Sequence, residues 1–345
     1  MYEKDGEKYF VVDGHTHFWD ASPENWVAGQ EEYAKGWIEC FHAYQGLGPP
    51  ETHWPIEQFQ KYDEDLMMKD LFDVGHVDMA IFQPTSLKQW YKEGFNTTEA
   101  NGAMAERHPG RFIVNTNWDP RDGDDGLKAL EERVNRWGCK GAKLYTAEWR
   151  GDSRGWSLKS PEASRYLEKC QELGVKNIHI HKGPTIWPLD KDAFDVSDVD
   201  YAATNFQELN FIVEHVGLPR IEDFCFMATQ ERNVYAGLSV VVGGLMHARP
   251  RFFAKVMGEL MFWLGEDKLL FGADYAIWEP RWQVEGFVDW NMPDGEEFSD
   301  YGKLSVEAKK KILGLNAARL YDIEVPADLS LDAPKTVEPV GVPSS

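Results

Sequence analysis

The chain has 345 residues, 43% of them hydrophobic, and sets 36 basic against 58 acidic side chains for a formal net charge of −22. The length suits a single large α/β domain and the apolar share suits an extensive core, which excludes a disordered chain as the default. The acidic balance argues against nucleic acid and anionic membrane surfaces as partners and leaves a small molecule as the expected one.

Four cysteines, Cys40, Cys139, Cys170 and Cys225, lie far apart with no C-x-x-C pair, as expected of reduced thiols in a cytoplasmic protein. The charged first residues carry no apolar h-region, and no apolar run approaches the roughly 20 residues of a membrane span.

Short β-branched runs alternate with stretches of helical period. Strands are predicted over 9–15, 77–83, 112–117, 141–145, 176–181, 210–215, 234–241 and 268–272. Helices are predicted over 65–74, 97–107, 124–137, 160–173, 219–229, 250–264 and 279–288, with a closing helix at 306–320. Eight βα units without a competing domain fit an α/β chain folded as one (β/α)8 TIM barrel over 9–323. The connection 18–60 is long and aromatic, with Trp19, Trp26, Tyr33, Trp37, Phe41, Tyr44 and Trp54. Structureless loops of that size are uncommon, so it is expected to be a folded lid or the contact of a homodimer. Residues 326–345 read as an extended tail.

Chemistry concentrates at predicted strand ends. Val11-Val-Asp-Gly-His15-Thr-His17 closes the first strand with an H-x-H, whose two imidazoles share a face because strand side chains alternate. Such a pair can chelate zinc, iron, manganese or nickel, or it can be two exposed turn histidines. Asn177-Ile-His179-Ile-His181 repeats the arrangement after the fifth strand, His215 ends the sixth, and Asp274 follows the eighth. Five of the ten histidines thus sit where barrel enzymes keep their active sites, which favours a catalytic metal with an open position.

This H-x-H, with His181, His215, Asp274 and the closing Lys311-Ile-Leu-Gly-Leu-Asn316-Ala-Ala-Arg-Leu320, resembles the amidohydrolase-2 branch of the amidohydrolase superfamily, which includes aminocarboxymuconate-semialdehyde decarboxylase. The resemblance covers roughly 9–323. It implies a metal-dependent hydrolase or decarboxylase with one divalent ion, zinc or manganese, on His15, His17, His181 and Asp274. It further implies His215 as the acid/base, with Asp274 also able to take a proton. His179 matches no family role and is either a ligand or a partner of one.

The opening Tyr9-Phe-Val-Val-Asp-Gly-His-Thr-His-Phe-Trp and the aromatic insertion also resemble a barrel subfamily with a non-heme diiron monooxygenase of diterpenoid biosynthesis. That alternative implies two iron ions and a terpenoid-like or acyl-CoA-linked substrate. Lys143, in Gly141-Ala-Lys143, and Glu148 could then bridge or hold a second metal; otherwise Lys143 pairs with an inner carboxylate and Glu148 is solvated. A barrel that has lost catalysis and only binds is the third reading.

Of fourteen tryptophans, only Trp137, Trp263 and Trp282 fall in predicted helices. The others line the mouth for a bulky, partly apolar substrate or anchor loops to one another. Trp19 and Trp278 are named as candidate substrate contacts. Arg150 and Arg154 either bind a carboxylate or CoA phosphate or are loop charges.

Overall fold

Asp5 and Gly6, both with positive φ (53° and 80°), make the two-residue turn of an antiparallel hairpin, β1 (Tyr2–Lys4) with β2 (Glu7–Tyr9). Asp-Gly suits that turn because its twist matches the flanking strands. The computed structural model describes residues 1–329 and residue 331.

Beyond the hairpin, the described residues form nine strand segments, all parallel in their pairings: β3 (Val12–Thr16), β4 (Met79–Phe82), β5 (Phe112–Val114), β6 (Thr116–Asn117), β7 (Gly141–Leu144), β8 (Asn177–His181), β9 (Asn210–Glu214), β10 (Val234–Gly237) and β11 (Leu269–Leu270). β5 pairs with β4 and β6 with β7, so these two are successive halves of one barrel strand. The ring closes where Gly14 N donates to Phe271 O (3.0 Å), Asp274 N to His15 O (3.0 Å) and His17 N to Tyr275 O (2.7 Å). A Cβ at residue 14 would stand 2.8 Å from Phe271 O, so glycine permits this approach. The result is the expected (β/α)8 TIM barrel. Its strands are largely buried along their length because helices cover the outer face and packed side chains fill the inner one.

Local chemistry explains the helix limits. Ser160 Oγ accepts from Ala163 N (3.1 Å) ahead of helix Pro161–Leu173, which ends on Gly174 at φ 73°. Proline just inside the start and glycine just past the end each take the position that suits their backbone. Helix Gly123–Trp137 likewise stops at Gly138, φ 62°.

Three departures from the sequence reading have physical causes. Helix Ser197–Asn205 was not expected; its Asp, Ser, Thr and Asn content is poor for a helix, and burial of Val199, Ala202 and Ala203 holds it. The closing helix is not continuous: Val306–Lys310 and Asn316–Tyr321 flank a widened π turn, Lys311–Leu315. Within that turn Gly314 lies so close to Phe10 O that no Cβ would fit. The seventh strand ends at Gly237 rather than 241, because Val240 adopts φ 67° and turns the chain into the π turn Val241–Leu245.

Insertion 18–60 carries helix Glu31–Ala43, which buries Ala34, Trp37, Ile38 and Phe41. Of the tail expected over 326–345, residue 330 and residues 332–345 lie outside the described residues; Ala327–Leu329 form one helical turn. No described helix is long and apolar enough to cross a membrane.

Candidate active site

His15 lies on β3 and His17 just past it, with ring centroids 4.9 Å apart at the C-terminal mouth of the barrel. His17 Nε2 stands 3.3 Å and His15 Nε2 3.7 Å from Asp274 Oδ1. His215 joins from the end of β9, its Nδ1 3.9 Å from Asp274 Oδ2. One donor atom each from His15, His215 and Asp274 lies within 4.8 Å of the other two. All these side chains are buried.

The backbone is bent to bring them inward. His215, Val216, Val240 and Asp274 all adopt left-handed φ, at 66°, 48°, 67° and 61°. Non-glycine residues persist there only when the surrounding packing holds them, and such positions gather at functional sites. A Cβ on Gly183 would collide with the His215 side chain.

Each imidazole is tied on its far side. His17 Nδ1 donates to Gln83 O (2.8 Å), which leaves Nε2 free to face Asp274. His215 Nδ1 lies 3.1 Å from Ser239 O and its Nε2 3.1 Å from His181 Nδ1, while Tyr145 Oη is 3.3 Å from His181 Nε2. Burial lowers His15 to about 3, pulls His181 well below the usual range and lowers His215. Burial alone would raise Asp274, but His15, His17 and His215 hold it well below the carboxylate range. Burial thus favours the neutral ring at His15, His181 and His215, the form that a metal requires, and the nitrogen–oxygen donor set fits a divalent transition ion. Lys143 lies beside them, Nζ 3.4 Å from His15 Nε2, its ammonium lowered to about 8 by burial.

The cluster forms one wall of a narrow chamber of about 20 Å³, room for about one water. Trp37 and Phe41 from the first insertion, Phe95, Ile277 and Trp278 supply its apolar lining. Trp278, named from sequence, is therefore at the chamber. Trp19 is not: its ring stacks on Phe95 (5.2 Å) behind His17 and its Nε1 donates to Phe59 O (2.7 Å).

The remaining candidates lie elsewhere. Glu148 borders a second cleft, of about 330 Å³, where the Leu87 and Lys88 backbones bond its carboxyl and burial raises it to about 7. Arg150 pairs with Asp122 in that cleft, and Arg154 lies over the Trp149 ring at 3.4 Å. His179 is buried deeper in the barrel, with Nδ1 2.5 Å from Glu214 and Nε2 2.7 Å from Tyr321 Oη.

Sequence reading missed Glu214, Ser239 and Tyr145. Glu214 did leave a signal, a lone acid inside the apolar run Phe211-Ile-Val-Glu214 of a buried strand, where it must have a partner. Ser239 and Tyr145 left none, since both are ordinary residues near a strand end.

The family model described as amidohydrolase matches residues 12–323. No curated protein matches the chain. Among solved structures, an uncharacterised TIM-barrel protein of Bordetella bronchiseptica superposes with a TM-score of 0.65 at 15% identity, covering 91% of this chain and 98% of its own. A 2,6-dihydroxybenzoate decarboxylase bound to 2,6-dihydroxybenzoate gives 0.60 at 16%, covering 91% and 100%. The 5-carboxyvanillate decarboxylase of Novosphingobium aromaticivorans, complexed with manganese and 4-hydroxy-3-methoxy-5-nitrobenzoic acid, gives 0.57 at 16%, covering 91% and 96%. The chain belongs to the amidohydrolase family and is a metal-dependent enzyme.

Proposed function

We propose that the protein decarboxylates a monocyclic aromatic or similarly unsaturated carboxylic acid with one divalent ion, manganese or zinc. The observation that carries this reading is a His/Asp cluster set at the wall of an apolar, aromatic-lined chamber in which Lys143 is the one lysine or arginine among the described lining residues. The apolar, aromatic character of that lining, more than the room inside it, suits a flat ring with a single carboxylate better than a sugar. The two decarboxylases of similar fold, acting on hydroxylated benzoates, support the same choice.

We assign the ion to His15, His17, His181 and Asp274. When bound, it would supply Lewis acidity towards a carboxylate or carbonyl oxygen. Lys143 would then pair with the substrate carboxylate, and Trp37, Phe41 and Trp278 would flank the ring and exclude water. The bond between ring carbon and carboxyl carbon breaks, CO2 leaves, and the electron pair remains on the ring carbon. His215, held through Nδ1 by Ser239 O, takes up a proton from solvent at Nε2 and passes it to this carbon. Glu148, the carboxylate considered for a second ion, is bound to the backbone at Leu87 and Lys88, which favours one ion over a diiron oxygenase centre. We further propose that residues 9–323 form the folding unit, that 18–60 serves as the chamber's lid, and that a homodimer forms through its outer face.

The test is metal quantification on protein purified without added metal, followed by CO2 release from a panel of hydroxybenzoates. About one manganese or zinc per chain with release from any of them supports the reading. Two irons per chain with oxygen consumption would overturn it.

A further inference from the structure

Glu214 is a buried carboxylate shared between two histidines. Its Oε2 lies 2.8 Å from His15 Nδ1 and its Oε1 2.5 Å from His179 Nδ1, and Ser239 Oγ donates to Oε2 (3.0 Å). His179 Nε2 continues to Tyr321 Oη at 2.7 Å, and that oxygen meets the Asn115 amide at 2.8 and 3.1 Å. Every member of this chain is buried. It runs from the chamber, through the barrel interior, to the last residue of helix Asn316–Tyr321.

The directions follow from donor chemistry. An ionised carboxylate only accepts, so both Nδ1 atoms facing Glu214 carry hydrogens. His15 is thereby fixed with Nε2 unprotonated and turned towards Asp274. His179 is left with an unprotonated Nε2 that accepts from Tyr321 Oη. A carboxylate behind a ligating histidine sets its tautomer and ring angle and makes it more basic. Gly237 on the neighbouring strand leaves the room that Oε2 occupies: a Cβ there would run into it.

We propose that Glu214 is a positioning residue for the metal centre, that it aims His15 Nε2 at the ion, and that His179 and Tyr321 hold Glu214 in turn. This gives His179 a role as a strut rather than a ligand. It ties the closing helix to the active site through side chains alone. The inference rests on His15 being a ligand, as assigned above.

The experiment is titration of the apoprotein with zinc and with manganese alone against a competing chelator, for the parent chain, Glu214→Gln, Tyr321→Phe and His15→Ala. A second readout that needs no metal is the long-range 1H–15N NMR spectrum of the histidine rings. His15 and His179 should be protonated on Nδ1 in the parent chain, and the Glu214→Gln variant should lose that pattern at His15. Glu214→Gln should weaken metal binding by roughly 10- to 100-fold, and Tyr321→Phe by a smaller factor with far-UV circular dichroism unchanged. Binding within twofold of the parent in Glu214→Gln overturns the proposal. If that variant does not fold, unchanged binding in Tyr321→Phe overturns it, as does Nε2 protonation of His15 in the parent. Normal metal binding by His15→Ala would instead sink the ligand assignment, so the two failures are distinguishable.

Discussion

Asp274 Oδ1 stands 3.3 Å from His17 Nε2, one side chain following the last barrel strand and the other following the first. The contact lies at the seam where the ring closes, next to the hydrogen bonds from His17 N to Tyr275 O and from Asp274 N to His15 O. The two segments that close the fold's ring therefore also carry three of the residues proposed to hold the metal, His15, His17 and Asp274. Asp274→Asn keeps the shape and removes the charge. Turnover should fall at least about a thousandfold, or roughly 4 kcal/mol of transition-state stabilisation, while circular dichroism stays unchanged. Turnover within tenfold of the parent would remove Asp274 from the mechanism.

His181 and His215 are adjacent rings, Nδ1 to Nε2 at 3.1 Å, and the assignment gives them different work. His181→Ala should lower the metal found per chain. His215→Ala should retain the metal and slow the reaction by about 10²- to 10⁴-fold, the range for loss of a general acid. Metal analysis beside kcat decides it. Loss of metal from the His215 variant, with full metal in the His181 variant, would exchange the two roles.

The barrel was legible because eight apolar runs of strand length recur with helical stretches between them. The histidines were legible because they fall at the ends of those runs. What stayed hidden depends on distance in space. Trp19 reads like any aromatic of the mouth, and only the packing of Phe95 and Phe59 turns it behind His17. Glu148 follows a strand end as Asp274 does, yet backbone bonding at Leu87 and Lys88 directs it into another cleft. Glu214 was overlooked beside His215 because alternation along a strand says which face a residue takes, not which partner waits there. Helix Ser197–Asn205 escaped because burial, not propensity, holds it.

Stability should depend on pH through Glu148. Burial, followed by the charge of Asp119, raises its carboxyl from the ordinary 4.5 to about 7 in the folded chain. Between those two values the folded state binds more protons than the unfolded one, so stability falls as pH rises through the window and the penalty is complete above about 7. Glu148→Gln keeps an oxygen for the backbone donors and removes the charge. The variant should be more stable than the parent at pH 8, by about 1–3 kcal/mol, and nearly equal to it at pH 4. Urea unfolding at both pH values checks this. A parent chain at least as stable as the variant at pH 8 would contradict it.

Gly237 tests the tightness of the packing around Glu214 without touching a polar group. It sits on β10 beside β9, paired in register with Glu214 itself, and its missing side chain leaves the space that Oε2 occupies. In Gly237→Ala the new methyl must push either the carboxylate or the strand. Moving the strand breaks the parallel ladder to β9 and β11, so the carboxylate is the softer element and should yield first. Its displacement breaks the 2.8 Å contact to His15 Nδ1 and leaves a buried charge short of a donor. Overpacking of this kind costs about 1–3 kcal/mol, and the metal should bind more weakly in the same variant. Thermal unfolding of the apoprotein reads the first effect and chelator competition the second. A variant that loses stability but keeps its metal affinity would show that the strand gives way and the carboxylate does not.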